Sequence, residues 1–404
     1  MSTPSRALLI LSLLAAAARA DVLHVPKDFP DIQSAVDAAN QGDEIVIAAG
    51  TYEGVFLIED KIDLHVRGQG QVKLTGSVAD TPNLRVNSSS DIVLEHLRVQ
   101  SSEGDGITIT GCENVTVSHC RVEDSAGDGI SVSNGNHLAL DHVIVTGSGG
   151  NGLLSTGADF VSLNHCTLTG SGQNGLVLDG GTGHVVDHIT VQDAGANGIV
   201  IEDGSLSTVD SVVLSHSLAR DVGGVGILLD GSDLLVEDNR VIDPADRGLA
   251  SSGANCVLQR NRIIGSLQAG ISLGGGAHQC LDNRVVKPGL AGVVVSSGGK
   301  LLQGNRVLKS LGQGISVAAA GDSCTLIDNR VTHPAGDGIE VNGDDLQALG
   351  NRVTGAGSDG FDVFGTGGVY AGNKATGSAG FDLSDVTGNG NTYVDNHFGT
   401  THFE

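Results

Sequence analysis

The chain has 404 residues, 39% of them hydrophobic, so it is long and apolar enough to fold around an extended core. Its 22 Lys and Arg residues face 47 Asp and Glu residues, and the formal net charge of −25 argues against nucleic acid or an anionic membrane as a partner. Glycine occurs 61 times without a collagen triplet, which indicates a chain with many turns.

The first twenty residues have the pattern of a signal peptide. Arg6 precedes an apolar run, and Ala18, Arg19 and Ala20 form an A-x-A cleavage pattern. We therefore predict a signal peptide at 1–20 and a mature chain that is secreted or periplasmic. No later apolar run is long enough to span a bilayer, so we expect no membrane insertion.

Residues 21–60 are predicted to form an N-terminal cap and the first strands. Asp31 can cap a short helix, and this helix would cover the unpaired edge of the strands that follow. One face of the helix is apolar. That face consists of Ile32, Ala35, Val36 and Ala39.

From 61 to 404 the chain repeats a unit of about 22 residues. Each unit has three short alternating segments separated by Gly, Asn, Asp or Ser, as in GISVS, HLALD and HVIVTG at 129–147. Alternation predicts strands, and self-similarity at this period predicts a solenoid. We expect an all-β fold, a parallel β-helix with three strands in each of about 14 coils, continuous with the cap as one domain.

Two residue types mark equivalent points in successive units. An Asn before a cation, first seen in VEDNRV at 236–241, is placed inward at a corner by the alternation, where it could hydrogen-bond to the next coil. This series is Asn239, Asn261, Asn283, Asn305, Asn329, Asn351 and Asn373. A Gly before an aliphatic residue or Phe keeps the same period, at Gly106, Gly129, Gly152, Gly175, Gly198, Gly226, Gly248, Gly270, Gly292, Gly314, Gly338, Gly360 and Gly380.

The six cysteines are expected to be buried free thiols. Cys120 and Cys166 share one repeat position two units apart, about 10 Å, which is beyond the reach of a disulfide. The others have no partner at an equivalent height. They are Cys112, Cys256, Cys280 and Cys324.

The chain resembles the right-handed parallel β-helix proteins of the pectate-lyase-like superfamily, in particular exported proteins with parallel β-helix repeats. The resemblance covers nearly all of the mature chain, and its most specific part is VPKDFPDIQSAVDAANQGDEIVIAAGTYEG at 25–54. It implies a right-handed coil and a place among lyases, polygalacturonases, esterases, epimerases and members without known chemistry. The catalytic motifs are not found: DPAD at 243–246 keeps only half of the epimerase DPHE, and DGIEVNGDD at 337–345 lacks the later polygalacturonase elements. The resemblance therefore predicts a fold and no mechanism.

Outward residues that stack from coil to coil form ladders, and the first candidate surface is a cation ladder. Charges about 5 Å apart in water repel by roughly 0.8 kcal/mol, so the ladder needs compensation. Asp238, Asp282 and Asp328 at the adjoining corner could pair with it, or an acidic polysaccharide such as a uronate chain could bind it. The ladder comprises Arg240, Arg262, Arg284, Arg306, Arg330, Arg352 and Lys374.

A second ladder consists of histidines. His119, His142 and His165 are candidate transition-metal ligands, because imidazoles one strand apart can chelate Zn²⁺, Cu²⁺ or Ni²⁺. The repeat pattern shows no Cys or carboxylate that completes a tetrahedral set, and surface imidazoles copied with the repeat are the alternative. The whole ladder is His96, His119, His142, His165, His188 and His216.

The third candidate is an acidic trio on the strand after the marker glycine, the face on which the resembling enzymes bind substrate. Asp179, Glu202 and Asp230 are outward in consecutive coils, beside an insertion at about 203–210. Close carboxylates can divide into an acid and a base or hold Ca²⁺, so we predict this trio as the catalytic or Ca²⁺ site, with solvated turn residues as the alternative. The fallback set is Glu340, Asp362 and Asp382.

The same strands carry an aliphatic strip that could contact a protein partner: Leu154, Val177, Val200 and Leu228. No Trp, three Tyr and eight Phe leave few rings on which sugars could stack. We expect binding of an extracellular or cell-envelope polysaccharide, with no motif to support lyase or glycoside hydrolase activity. A non-catalytic scaffold or assembly protein is the alternative. Neither interpretation requires a cofactor, although Ca²⁺ could be bound.

Overall fold

The protein is a parallel β-helix in a computed structural model that describes residues 20–203, 209–386 and 390–403. The predicted signal peptide lies outside these residues, apart from Ala20. One sheet contains sixteen strands, one for each turn, so the prediction of about 14 coils was low. The turns that begin at Phe56, Leu84, Leu383 and Thr401 lack the marker glycine, so the period of the glycines undercounts the turns.

The sixteen-stranded sheet has one face toward the core and one toward the outside, and its strands are all parallel. Its strands are Phe56–Glu59, Leu84–Asn87, Ile107–Thr110, Ile130–Ser133, Leu153–Thr156, Leu176–Asp179, Ile199–Glu202, Ile227–Asp230, Leu249–Ser251, Ile271–Leu273, Val293–Val295, Ile315–Val317, Ile339–Val341, Phe361–Val363, Leu383–Asp385 and Thr401–Phe403.

The other two sides of the β-helix form a single thirty-stranded sheet. Three long strands of the first turns run across the corner between these sides and connect them. The strands up to that corner are Val22–Val25, Glu44–Glu53, Ile62–Thr75, Ser90–Gln100, Glu113–Ser118, Asn136–Asp141, Ser162–Asn164, Val185–Asp187, Val213–Ser215, Leu235–Glu237, Val257–Gln259, Gln279–Leu281, Leu301–Gln303, Thr325–Ile327, Gln347–Leu349, Val369–Ala371 and Thr392–Val394. Those after it are Arg121–Glu123, Ile144–Thr146, Thr167–Thr169, Thr190–Gln192, Leu218–Arg220, Arg240–Ile242, Arg262–Ile264, Arg284–Val286, Arg306–Leu308, Arg330–Thr332, Arg352–Thr354, Lys374–Thr376 and His397–Phe398. A small pair joins Gly181–Thr182 to Val209–Asp210.

The predicted capping helix is present at Ile32–Ala38. The Asp31 carboxylate accepts the Ser34 N–H at 2.8 Å, as expected of an N-cap. The Gln33 side chain completes the first strand of the sixteen-stranded sheet, since its Oε1 accepts the Leu57 N–H at 2.9 Å and its Nε2 donates to the Leu57 carbonyl at 3.0 Å. The helix therefore covers an edge that would otherwise expose unpaired backbone groups.

Marker glycines lie at a corner where the chain passes close to the next turn. A Cβ on Gly292 would lie 2.2 Å from Val307 Cγ1 and 2.5 Å from the Gly314 carbonyl oxygen, so no side chain fits there. The marker glycines stack in one column, which ends at Gly360. In the next turn the equivalent position is Asp382, because its carbonyl accepts the Phe361 N–H. Gly380 is therefore not a member of the column, contrary to the sequence prediction.

The asparagine ladder is buried and hydrogen-bonded from turn to turn, as predicted. Asn283 Oδ1 accepts the Asn261 N–H at 2.9 Å, and Asn283 Nδ2 donates to the Leu258 carbonyl at 2.7 Å and to Asn305 Oδ1 at 3.1 Å. Asn396 extends the ladder by one turn, since it accepts the Asn373 N–H at 2.8 Å. The ladder thus satisfies polar groups inside an otherwise apolar core.

The six cysteines are free and buried, as predicted. In the part of the chain that the structure describes, no helix has the length and apolar character needed to cross a membrane.

Replacing Asn283 with Leu should lower the free energy of unfolding by about 1–3 kcal/mol, because the Asn261 N–H and the Leu258 carbonyl lose a buried partner. Urea denaturation measures this loss. The matched control is Arg284→Gln, one residue away on the exposed side, where we expect a change within about 0.5 kcal/mol. Equal stability of Asn283→Leu and the wild type would contradict the structural role of the ladder.

Candidate functional site

The cation ladder is continuous from turn to turn. Its seven residues pair in register from Arg240 to Lys374, one on each turn, and all are exposed. Within the described residues, none of the seven has a carboxylate oxygen within 4.0 Å. Asp238 pairs instead with Arg260, at 2.8 Å. Asp238, Asp282 and Asp328, the partners considered in the first alternative, form no ion pair within 4.0 Å with a ladder residue.

The histidine ladder lies on an exposed corner, as predicted, and its rings stack. Centroids from His119 through His216 are 4.7–5.2 Å apart with interplanar angles of 16° or less, whereas His96 meets His119 edge-on. The sequence pattern missed two carboxylates here. Asp141 Oδ2 lies 2.9 Å from His142 Nδ1, and Asp187 lies 2.7 Å from His188 Nδ1 and 2.9 Å from His216 Nδ1.

Asp187 has the most perturbed carboxyl group of this corner. Partial burial by itself would raise its pKa, but hydrogen bonds from Ser215, His216 and His188 outweigh that effect and lower the pKa to about 2. Asp187 is therefore a carboxylate that accepts several donors at once.

The acidic trio is stacked in register, as its spacing predicted. Burial, followed by the charges of Asp179 and Asp230, raises the pKa of Glu202. Three other groups of described side chains bring ligand atoms within 4.8 Å of one another, and the trio is not among them. Its first and third members are two turns apart, about 10 Å, so only adjacent pairs can share a proton or an ion. Most of the adjoining insertion, 204–208, lies outside the described residues.

The fallback set is only partly assembled. Glu340 and Asp362 are neighbours in register, but Ser384 follows Asp362 in that column. Asp382 lies at the buried corner instead, where its Oδ2 accepts the Gly399 N–H at 2.9 Å.

A different acidic cluster, Asp337, Asp359 and Asp362, has its oxygens within 4.8 Å of one another. Burial, then the charges of Asp337 and Asp359, raises the pKa of Asp362 to about 6. Asp337 and Asp359 belong to a second side-chain ladder that the sequence analysis missed, in which Asp337 Oδ1 accepts the Asp359 N–H at 2.9 Å. The detectable signal was an Asp or Asn directly before many of the marker glycines, as at Asp105, Asp128, Asn151, Asn174 and Asn197.

A cavity of about 550 Å³ opens on the outer face of the sixteen-stranded sheet next to this cluster. Ser272, Val294, Ser316 and Glu340 form its floor on successive strands. Ser316 Oγ donates to Glu340 Oε2 at 2.7 Å, and Glu340 is the register neighbour of Asp362. The wall includes Asp246, Arg247, Gln268, Ala269, Leu290, Ala291, Gly312 and Gln313.

Two exposed phenylalanines flank the acidic cluster. Phe364 is two residues beyond Asp362 and 41% exposed, and Phe381, whose N–H donates to Asp359 Oδ1, is 40% exposed. Few rings were expected from composition, but these two lie where a sugar ring could stack beside the acids.

The aliphatic strip is in register as predicted, and two of its members are buried. Val177 and Val200 are only 4% and 2% exposed. The strip therefore presents little apolar surface in this structure, and a protein contact through Leu154, Val177, Val200 and Leu228 stays a prediction.

Comparison with known proteins agrees with this architecture. The family model described as "Right handed beta helix region" matches residues 61–164 and 151–307. The A-module of mannuronan C-5 epimerase AlgE6 from Azotobacter vinelandii is similar with a TM-score of 0.58 at 14% identity, over 89% of this chain and 99% of that one. The AlgE4 A-module from the same organism gives 0.53 at 16% identity, over 74% and 90% of the two chains.

DFA-IIIase from Arthrobacter chlorophenolicus A6 without its lid, solved in complex with GF2, gives a TM-score of 0.54 at 12% identity over 76% of this chain and 94% of that one. At these identities the structural likeness concerns the fold. No curated protein matches the sequence.

Replacing Asp362 with Asn should raise the melting temperature near pH 7.5, and the gain should shrink as the pH falls toward 4. The pKa of Asp362 is raised in the folded state, so folding is favoured when this group is protonated and is opposed as the pH rises through about 6. Thermal unfolding across this range measures the effect. Asp395→Asn, which removes one exposed charge outside the cluster, reports the general effect of net charge. If the melting temperatures of both variants changed with pH in the same way, the raised pKa of Asp362 would be contradicted.

Proposed function

The chain belongs to the right-handed β-helix family, and from this premise we propose that it binds an acidic polysaccharide along the cation ladder. The polymer is extracellular or part of the cell envelope, in keeping with the predicted signal peptide at 1–20. A secreted or periplasmic location belongs to the same proposal.

One observation carries this proposal: seven cations stand in register without a carboxylate within 4.0 Å among the described residues. The strand spacing places them about 4.8 Å apart, so their mutual repulsion is relieved by an anion that is itself extended and repetitive. Guanidinium groups bind carboxylates through paired hydrogen bonds, which suits a uronate polymer. The formal charge of −25 makes this ladder unusual on the surface and directs a polyanion to it.

The test is retention on immobilised polygalacturonate or alginate. Changing Arg262, Arg284 and Arg306 to Gln should weaken retention and reduce its dependence on salt, because three contacts with the polyanion are lost. The matched control changes three arginines that already have acidic partners: Arg67, Arg98 and Arg121.

Both triple variants lose the same net charge, so a difference between them reports the ladder. Equal retention of the ladder variant and the wild type, or an equal loss in both variants, would contradict the proposal.

A second candidate function is modification of a glycan in the cavity beside Asp337, Asp359 and Asp362. The observation in its favour is the position of this cluster at one end of the cavity, with Phe364 and Phe381 exposed around it. Asp362, whose pKa is raised to about 6, would hold a proton below that pH and act as an acid, while a neighbouring carboxylate acts as a base. The floor crosses four strands, about 14 Å, enough for a short oligosaccharide.

The trio Asp179, Glu202 and Asp230 is the competing place for this chemistry or for Ca²⁺. Incubation with uronate polymers and neutral glycans, followed by assays for new reducing ends and unsaturated products, detects either reaction. Asp362→Asn should abolish turnover, and Glu202→Gln should leave it unchanged. The reverse result would move the chemistry to the trio, and no turnover in the wild type would leave binding as the function.

A further inference from the structure

Two aspartates in the column next to the histidine ladder form possible metal-ligand groups with ladder histidines. At two places the residue before a ladder histidine is an aspartate with an oxygen within 4.8 Å of nitrogens of two successive imidazoles. The first group is Asp141, His142 and His165, and the second group is Asp187, His188 and His216. We propose that each group binds one divalent late first-row transition metal ion, Zn²⁺, Ni²⁺ or Cu²⁺.

The distances suit such an ion. In each group one ligand atom per residue lies within 4.8 Å of the other two. A nitrogen or oxygen bound to Zn²⁺ is about 2.0–2.2 Å from it, so two ligand atoms on one tetrahedral ion are about 3.4 Å apart. Rotation of the side chains would bring the ligand atoms to this separation. The side chains of His142, His188 and His216 are 46–52% exposed, so their rings turn without disturbing the core.

The column next to the histidines sets the spacing of the two groups. Asp141, Asn164, Asp187 and Ser215 follow one another in register, so a carboxylate occurs on every second turn. The two ions would lie about 10 Å apart, which limits their mutual repulsion.

Both carboxylates are also held in place by a side chain from the next turn. Asn164 Nδ2 donates to Asp141 Oδ1 at 2.9 Å, and Ser215 Oγ donates to Asp187 Oδ1 at 2.8 Å. Such outer contacts orient ligands and strengthen metal binding.

The donor set distinguishes this surface from the acidic clusters. Two imidazole nitrogens and one carboxylate favour Zn²⁺, Ni²⁺ and Cu²⁺, whereas Ca²⁺ requires six or more oxygen ligands. Three protein ligands leave further coordination positions open to water or to a group from another molecule. The ligand chemistry of these two groups therefore differs from that of the acidic clusters.

Calorimetric titration of the full chain, purified without a histidine tag, with ZnCl₂ tests this directly. We expect two ions per chain. His188→Asn with His216→Asn should reduce the number to one, and adding His142→Asn with His165→Asn should reduce it to none. Asn tolerates the left-handed backbone of these positions, where φ is 47–53°. The matched control, His333→Asn, changes an exposed corner histidine with φ of 49° outside the ladder and should still bind two.

Absence of Zn²⁺ binding to the wild type, or undiminished binding by the four-histidine variant, would overturn the proposal. So would equal binding of CaCl₂ at the same positions. If the four-histidine variant does not fold, as judged by circular dichroism, the electron paramagnetic resonance spectrum of the Cu²⁺-loaded wild type decides. Coupling to imidazole nitrogen is expected, and a spectrum of oxygen ligands alone would contradict the proposal.

Discussion

The structure depends on hydrogen bonds between equivalent backbone positions of successive turns. Because each strand pairs in parallel with the next turn at constant register, a residue's nearest neighbour is its own counterpart one turn away. A side chain is therefore acceptable only if it tolerates a copy of itself at that distance. Valine and isoleucine do so inside by packing, and Asn does so by donating to one neighbour and accepting from the other.

The same constraint explains how much of the molecule was visible in the sequence. Alternation within a turn separates inside from outside, and the period of the markers aligns the turns, so the three sides, the buried Asn and Cys residues and the stacked ladders could all be predicted. The cap was predicted separately, from Asp31 and the apolar face of the helix that follows it. The residue spacing no longer predicts which residues are neighbours where successive turns differ in length. Asp382 was aligned with Asp362 through Gly380, but the backbone places Asp382 beside Gly360 and turns its carboxylate toward Gly399.

Neighbours across a corner were harder to find than neighbours along a column. The period of the repeat places His142 beside His165. It does not show that an oxygen of Asp141 lies within 4.8 Å of a nitrogen of each. The Asp337, Asp359 and Asp362 cluster likewise joins two columns, one at the corner and one on the strand. The pKa of Asp362 is raised by burial and by two charges in a different column. The spacing within a single column does not reveal those two charges.

The acidic trio, Glu340 and Asp362 lie on the sixteen-stranded sheet, while the cation ladder lies on the thirty-stranded sheet. A strongly acidic protein can thus present a continuous basic line, because the column arrangement repeats the same charge from turn to turn.

The equal length of the turns that carry Arg262, Arg284 and Arg306 also bears on how such a protein can change over generations. Each begins 22 residues after the last, so losing or duplicating one whole unit joins equivalent corners and leaves every column unbroken. Unequal recombination could then lengthen or shorten the basic line in steps of a single cation while the hydrophobic interior needs no compensating substitution. Adaptation to a longer or shorter polymer would proceed through copy number, with the individual turns left as they are.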